Sequence, residues 1–197
     1  MSEEIEIKFL EINKEELENK IVELGGVKVF ERNYQRIVFD YSDFRLDKQG
    51  AWIRLRDEGE DVKLTFKQRL GMKSVEGTES DEGMYEKEIV VSSFLDTREI
   101  LLKTGLIEKM YQENKRTRYF LDGVELDIDE WPLLNPYLEV EGKTWDDVYR
   151  VSEKLGFKKE DAKIFSANQI YKLNGLDDRN FTKLTFKEQI KRTENLF

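Results

Sequence analysis

Apolar and charged residues alternate with a period of two over many short stretches of this chain, and that period predicts β-strands with one apolar and one charged face. The N-terminus shows it first, with Glu4, Glu6 and Lys8 on one side of a strand over 4–12 and Ile5, Ile7 and Phe9 on the other. The alternation returns in three segments, at 36–41, 51–56 and 62–67. The acidic residues between the last two, from Asp57 to Asp61, predict a hairpin loop. After a Gly-, Ser- and Glu-rich stretch over 71–83, read as a mobile loop, further strands are predicted at 85–92, 114–121, 124–130 and 137–142.

Helical spacing interrupts the strands. Leu17, Ile21 and Leu24 form an apolar stripe over 14–24, with Asn13 as the N-cap and Gly25-Gly26 as the stop. A second, short helix is predicted to start with a capping box at Asp96–Glu99 and to end at Gly105. A third runs from Thr144 to Leu155 and closes on Gly156, and a fourth is predicted over 160–174. The tail from Thr185, with Glu188 completing a capping box, predicts a last amphipathic helix. Acidic strand, helix closing on glycine and charged meander occur in that order twice, which hints at an internal pseudo-repeat.

These elements predict an α+β fold, mainly β. The expected architecture is an eight-stranded antiparallel barrel turned inside out, its apolar face outward under the helices and its charged face lining a tunnel. The domain expectation is a tunnel domain over 1–175 and a helical extension over 176–197. A sheet with one face on a core and the other in water predicts the same pattern strand by strand.

Composition narrows the chemistry. The chain has 197 residues, enough to bury a substantial core, and neither cysteine nor histidine. Disulfides, a thiolate nucleophile and zinc sites of the usual nitrogen and sulfur type are therefore excluded, and any metal must be held by oxygen. With 33 basic and 42 acidic side chains the net charge is −9, which argues against nucleic acid or an anionic membrane as partner. The acidic N-terminal residues do not resemble a signal peptide and no apolar run is long enough to span a bilayer, so a cytoplasmic protein is expected.

Carboxylates spaced two apart on several strands present the oxygen donors that Mg²⁺ or Mn²⁺ prefers. Packed together, they need cations nearby. Two kinds are available: divalent metal, and the Arg and Lys residues at matching positions. A ligand that meets both is a polyanion, because guanidinium forks suit phosphate oxygens. Polyphosphate is the natural candidate.

The Glu4-Ile5-Glu6-Ile7-Lys8 segment resembles the opening motif of the CYTH domain, the triphosphate tunnel metalloenzymes, which include class IV adenylate cyclases, thiamine triphosphatases and inorganic triphosphatases. The resemblance runs through nearly the whole chain. Trp52–Arg56 is similar to the family's Arg-x-Arg strand, Leu64–Lys67 to its lysine strand, and Lys115–Tyr119 to its basic strand. Glu125–Asp129 and Leu138–Glu141 resemble two acidic strands, and Ala162–Ser166 a C-terminal segment that supplies one more lysine.

The resemblance implies roles. Glu4, Glu6, Asp127, Glu139 and Glu141 would hold Mg²⁺ or Mn²⁺, with Glu4, Glu6 and Lys8 at the catalytic centre. Lys8, Arg54, Arg56, Lys67, Arg116, Arg118 and Lys163 would grip the triphosphate. Lys63 shares the face of Lys67 by alternation and competes with it for that role. Glu86, Glu88, Glu125 and Asp129 are supporting acids. The implied activity is metal-dependent hydrolysis of a small triphosphate, inorganic, thiamine-linked or nucleoside. An adenylate cyclase and a non-catalytic triphosphate or nucleotide sensor stand beside it, and a homodimer is the implied assembly. Plainer readings accompany these: solvated strand faces for Glu4 and Glu6, cross-strand ion pairs for Arg54 and Arg56, a helix-surface lysine for Lys163, and an ordinary surface loop for Asp57–Asp61. The predicted last helix invites the idea that it plugs one tunnel end.

Overall fold

The computed structural model describes residues 5–69 and 84–193, so Glu4 and the 71–83 loop lie outside the described residues. In chain order the elements are β1 (Ile5–Phe9), α1 (Lys14–Glu23), β2 (Val27–Tyr41), β3 (Ala51–Asp57), β4 (Val62–Arg69) and β5 (Met84–Val91). Then come α2 (Phe94–Lys103), β6 (Leu106–Leu121), β7 (Val124–Glu130), β8 (Tyr137–Gly142), α3 (Trp145–Lys154), α4 (Ala167–Leu173), β9 (Phe181–Leu184) and β10 (Gln189–Lys191). The protein is α+β and mainly β.

The chain forms two compact units. One comprises Met1–Asn33, Asn114–Asn180 and Thr185–Lys187, the other Tyr34–Glu113, Phe181–Leu184 and Glu188–Phe197. The long strands β2 and β6 each give one half to each unit. The hydrogen-bonded strand order is β1-β8-β7-β6-β2 in the first unit and β6-β2-β3-β4-β5 in the second. Strand, helix and meander do recur in order, as β1-α1-β2-β3-β4 and β5-α2-β6-β7-β8. Each unit takes the strand and helix of one repeat and most of the meander of the other.

In the first unit the apolar faces of β1, β7, β8 and the end of β6 pack against helices. Ile7 and Phe9 of β1, Leu138 and Val140 of β8, Val124, Leu126 and Ile128 of β7, and Tyr119 and Leu121 of β6 form one buried cluster with Leu17 and Ile21 of α1, Val148 and Val151 of α3, and Leu155 at the C-cap of α3. Gly142 sits where a Cβ would come within 2.9 Å of Val148 Cγ2, so its bare backbone permits the close approach of α3. The second unit has a smaller buried cluster, Ile37, Phe39, Leu55 and Leu106. The predicted sorting, apolar side to the helices and charged side away, holds on these strands.

Several expectations are corrected. Among the described residues the hydrogen-bonded strand order is open, β1 pairing with β8 and with no other strand, and β5 only with β4. The outer edge of β1 is already taken, because the backbone of Lys8 and that of Lys163 exchange two hydrogen bonds of 2.8 and 2.9 Å. The same bridge corrects the helix over 160–174: Lys163 is extended, and α4 starts only after Ser166, whose side chain forms a capping box with Gln169. The tail is a hairpin, not a helix. Leu184 and Phe181 are buried, β9 runs parallel to β6, and Glu188 pairs with Lys183 across β9–β10 at 2.5 Å. No C-terminal helix exists among the described residues to plug anything. Finally, α2 begins two residues before Asp96, with Ser93 Oγ accepting from the Asp96 backbone N–H at 3.2 Å. Asn13 caps α1 as expected, and Thr144, read as the first helical residue, is the N-cap of α3.

Candidate functional site

Antiparallel pairing puts directly opposed residues on the same face of a sheet, so register turns the alternating charges into rows. Across the first unit, one row is Lys163, Lys8, Glu139, Asp127, Arg118. The row on one side of it is Glu6, Glu141, Glu125, and on the other Tyr137, Asp129, Arg116. Of the residues singled out in the sequence for this face, only Glu4 lies outside the described residues; the rest are assembled here.

Two arginines organise these acids. Arg116 donates to both oxygens of Asp129 at 2.7 Å, to Asp127 at 2.7 Å and to Glu139 at 2.6 Å. Arg118 holds both oxygens of Asp127 at 2.7 and 2.6 Å and reaches Glu125 at 2.5 Å. Such forked, charge-assisted contacts are the strong kind. Asp127 and Asp129 are almost wholly buried, which only paired carboxylates tolerate. Lys8, also buried, pairs with Glu6 and lies 3.3 Å from Glu139.

The titration behaviour follows from this crowding. Burial and the neighbouring Asp129 charge push the Glu139 carboxyl up to about 7, against the pull of Arg116 and Lys8. Burial works to lower the ammonium of Lys8, but Glu139 and Glu6 outweigh it and the group titrates above its ordinary value. Arg116 behaves likewise, burial being outweighed by Asp129, Glu139 and Asp127.

Glu6, Glu141 and Glu125 stand next to one another in a row, with Lys8 on Glu6 and Arg118 on Glu125 supplying positive charge from the adjacent row. Their donors are all carboxylate oxygens, which suits Mg²⁺ or Mn²⁺. Among the described residues no three acids converge as a ready-made metal cage. Asp127, Asp129 and Glu139 are instead gathered on Arg116, and Glu6 and Glu141 face one another across the β1–β8 pair.

The second unit carries a basic face. Arg36 of β2 lies directly opposite Arg56 of β3, and Arg56 opposite Lys63 of β4. The next row holds Arg54, Thr65 and Glu88, and the one beyond it Trp52, Lys67 and Glu86. The supporting acids therefore hold basic partners: Glu86 pairs with Lys67 at 2.8 Å, and Glu88 accepts from Thr65 Oγ1 at 2.8 Å and lies 3.6 Å from Arg54. Both Lys63 and Lys67 are on this face, Lys63 in the arginine row. The Nε atoms of Arg54 and Arg56 are buried with no hydrogen-bond partner. Burial, with Arg56 alongside, pushes the Arg54 guanidinium down to about 10.

Sequence reading missed two members of this face. Arg36 shares the parity of Arg54 and Arg56 only once the β2–β3 register is known. Glu58 was counted with a surface loop, yet its carboxylate turns back onto Arg56 and Lys63.

The strands thus combine apolar backs with faces sorted into acid-rich and base-rich rows. The chain belongs to the CYTH domain family, whose model matches residues 2–173. Solved structures share the fold at low identity. A conserved hypothetical protein from Pyrococcus furiosus is 22% identical, covering 85% of this chain and 99% of its own, with a TM-score of 0.63. A proposed adenylate cyclase from Vibrio parahaemolyticus is 15% identical, covering 85% and 96%, with a TM-score of 0.65. HpAC1 from Hippeastrum, a proposed adenylyl cyclase described as having a dominant triphosphatase activity, is 18% identical, covering 87% and 96%, with a TM-score of 0.55. No curated protein matches the chain. Among the described residues no helix is long and apolar enough to cross a membrane.

Proposed function

We propose that this protein is a divalent-metal-dependent hydrolase of a small triphosphate. The observation that carries the reading is like charge placed directly opposite like charge on neighbouring strands: Glu6, Glu141 and Glu125 in the first unit, Arg36, Arg56 and Lys63 in the second. Lys8 and Arg118 supply opposite charge to the first row and Glu58 to the second, and like charges this close leave room for a ligand to add to or replace those partners. A metal cation answers the first row and a phosphate chain the second.

Glu6, Glu139 and Glu141 would hold Mg²⁺ or Mn²⁺, which when bound neutralises phosphate charge and acidifies water. Arg54, Arg56, Lys63 and Lys67 bind phosphoryl oxygens. Lys8, Arg116, Arg118 and Lys163 add positive charge where the acids sit. Because the chain has no histidine, a glutamate of the acidic face is the side chain left to accept the proton of the attacking water. Catalysis then rests on positioning and on stabilising charge that develops on the transferred group.

The test is a joint assay of phosphate release and cyclic-nucleotide formation with tripolyphosphate, thiamine triphosphate and ATP, each with Mg²⁺ and with Mn²⁺. Phosphate release that disappears in Glu6→Lys supports the hydrolase. Cyclic AMP with pyrophosphate as the product replaces it with a cyclase, and tight binding without turnover replaces it with a sensor.

A further inference from the structure

The β3–β4 hairpin carries four acids, and they are not equivalent. Asp57 is fixed within the hairpin and to β2: its oxygens accept from the Gly59 backbone at 2.8 Å and from Gln35 Nε2 at 3.0 Å. Glu60 and Asp61 are exposed. Glu58 is different. Its backbone N–H is pinned to Asp61 O at 3.0 Å, and Gly59 takes the left-handed φ of 90° that lets the chain reverse immediately after it. Its side chain, only 14% exposed, bends back over the strands, one oxygen on Arg56 Nη2 and the other 3.0 Å from Lys63 Nζ.

A carboxylate with one oxygen on a guanidinium and the other on an ammonium occupies the position, and makes the contacts, that two oxygens of a phosphoryl group would take. The row beneath it is Arg36, Arg56 and Lys63, directly opposed across three strands. Arg56 Nε, buried without a hydrogen-bond partner, remains unanswered by Glu58. Glu58 thus neutralises the row only in part, and it hangs from a two-stranded hairpin end, where local displacement is cheap.

We propose that Glu58 is an internal stand-in for phosphate: it occupies the Arg36–Arg56–Lys63 row in the free protein and gives way when a terminal phosphoryl group binds there. The inference rests on the triphosphate reading above and adds an intramolecular competitor to it. Glu58 is a gatekeeping residue, not a catalytic one. Its presence sets the affinity of the row low enough that isolated small anions are rejected while a longer phosphate chain, held elsewhere as well, displaces it.

The test is calorimetric titration of wild type, Glu58→Gln, Glu58→Ala and Arg36→Gln with tripolyphosphate and with inorganic phosphate, in the absence of metal, with circular dichroism to establish that each is folded. Removing the competing carboxylate should tighten tripolyphosphate binding roughly tenfold, the size of one lost charge-assisted bond. It should also make inorganic phosphate binding measurable, while Arg36→Gln weakens both. In turnover assays Glu58→Gln should lower KM and leave kcat nearly unchanged. Wild type that binds tripolyphosphate, with both Glu58 variants binding it equally or more weakly, overturns the stand-in and leaves the triphosphatase reading in place, since Glu58 would then only orient its neighbours. Wild type that binds tripolyphosphate neither without metal nor with Mg²⁺ or Mn²⁺ present overturns the triphosphatase reading itself, and this inference falls with it.

Discussion

Lys8 and Lys163 stand directly opposite one another, each donating its backbone N–H to the other's carbonyl, at 2.8 and 2.9 Å. Two ammonium-bearing residues are thereby placed side by side at the start of a row that continues into Glu139 and Asp127. The bridge belongs to the backbone and the charge to the side chain, so the two separate experimentally. Lys163→Met keeps the bridge and should leave the urea midpoint close to wild type, within about 0.5 kcal/mol, while tripolyphosphate binding weakens. Lys163→Pro removes one donor from the edge of β1 and should cost at least about 1 kcal/mol. A Met variant with unchanged affinity would remove Lys163 from the site.

Arg116 makes four hydrogen bonds to three carboxylates. Arg116→Met should lower unfolding free energy by about 3–5 kcal/mol, because Asp129 would be left buried without its cation and Glu139 with Lys8 alone. Arg116→Lys should recover only part of this, an ammonium being unable to reproduce the planar fork. Denaturant titration of the three proteins measures it.

Divalent metal should stabilise the folded protein, because Glu6 and Glu141 are brought face to face only when β1 and β8 are paired. At about 100 times the dissociation constant the gain is about 2.7 kcal/mol. Thermal unfolding with and without Mn²⁺ should show an upward shift in wild type that shrinks in Glu6→Gln and in Glu141→Gln. An equal shift in all three would place the metal elsewhere.

The apolar back of the acidic face is a separate requirement. Leu138, fully buried between neighbours on β1 and β7, should cost about 2–5 kcal/mol as Leu138→Ala. Its neighbour Glu139 points the other way, and Glu139→Gln should reduce activity far more than it reduces stability.

Much of this was legible from local pattern. Parity along β1, β3, β4, β7 and β8 separates Glu6, Arg54, Lys67, Asp127 and Glu139 from the apolar residues between them, because side chains of a strand alternate whatever the strand pairs with. The cap at Asn13 was legible for a similar reason, since a cap satisfies backbone donors within three residues of itself. The errors share a cause too. The segment around Lys163 has helical composition but pairs with β1, and Glu188 has capping-box spacing but pairs with Lys183. In both, a partner distant in sequence or across a turn outweighs a weak local preference.

The order of elements, the parity of each strand and the kinds of side chain on each face are properties of the amino-acid sequence by itself, because they depend on bonds and spacings within a few residues. Which acid stands beside which base is not. The rows Lys8–Glu139–Asp127–Arg118 and Arg36–Arg56–Lys63, the gathering of three carboxylates on Arg116 and the inward turn of Glu58 depend on register between strands or on a hairpin's fold. Register is set by packing the whole apolar back at once, so only the tertiary structure decides it.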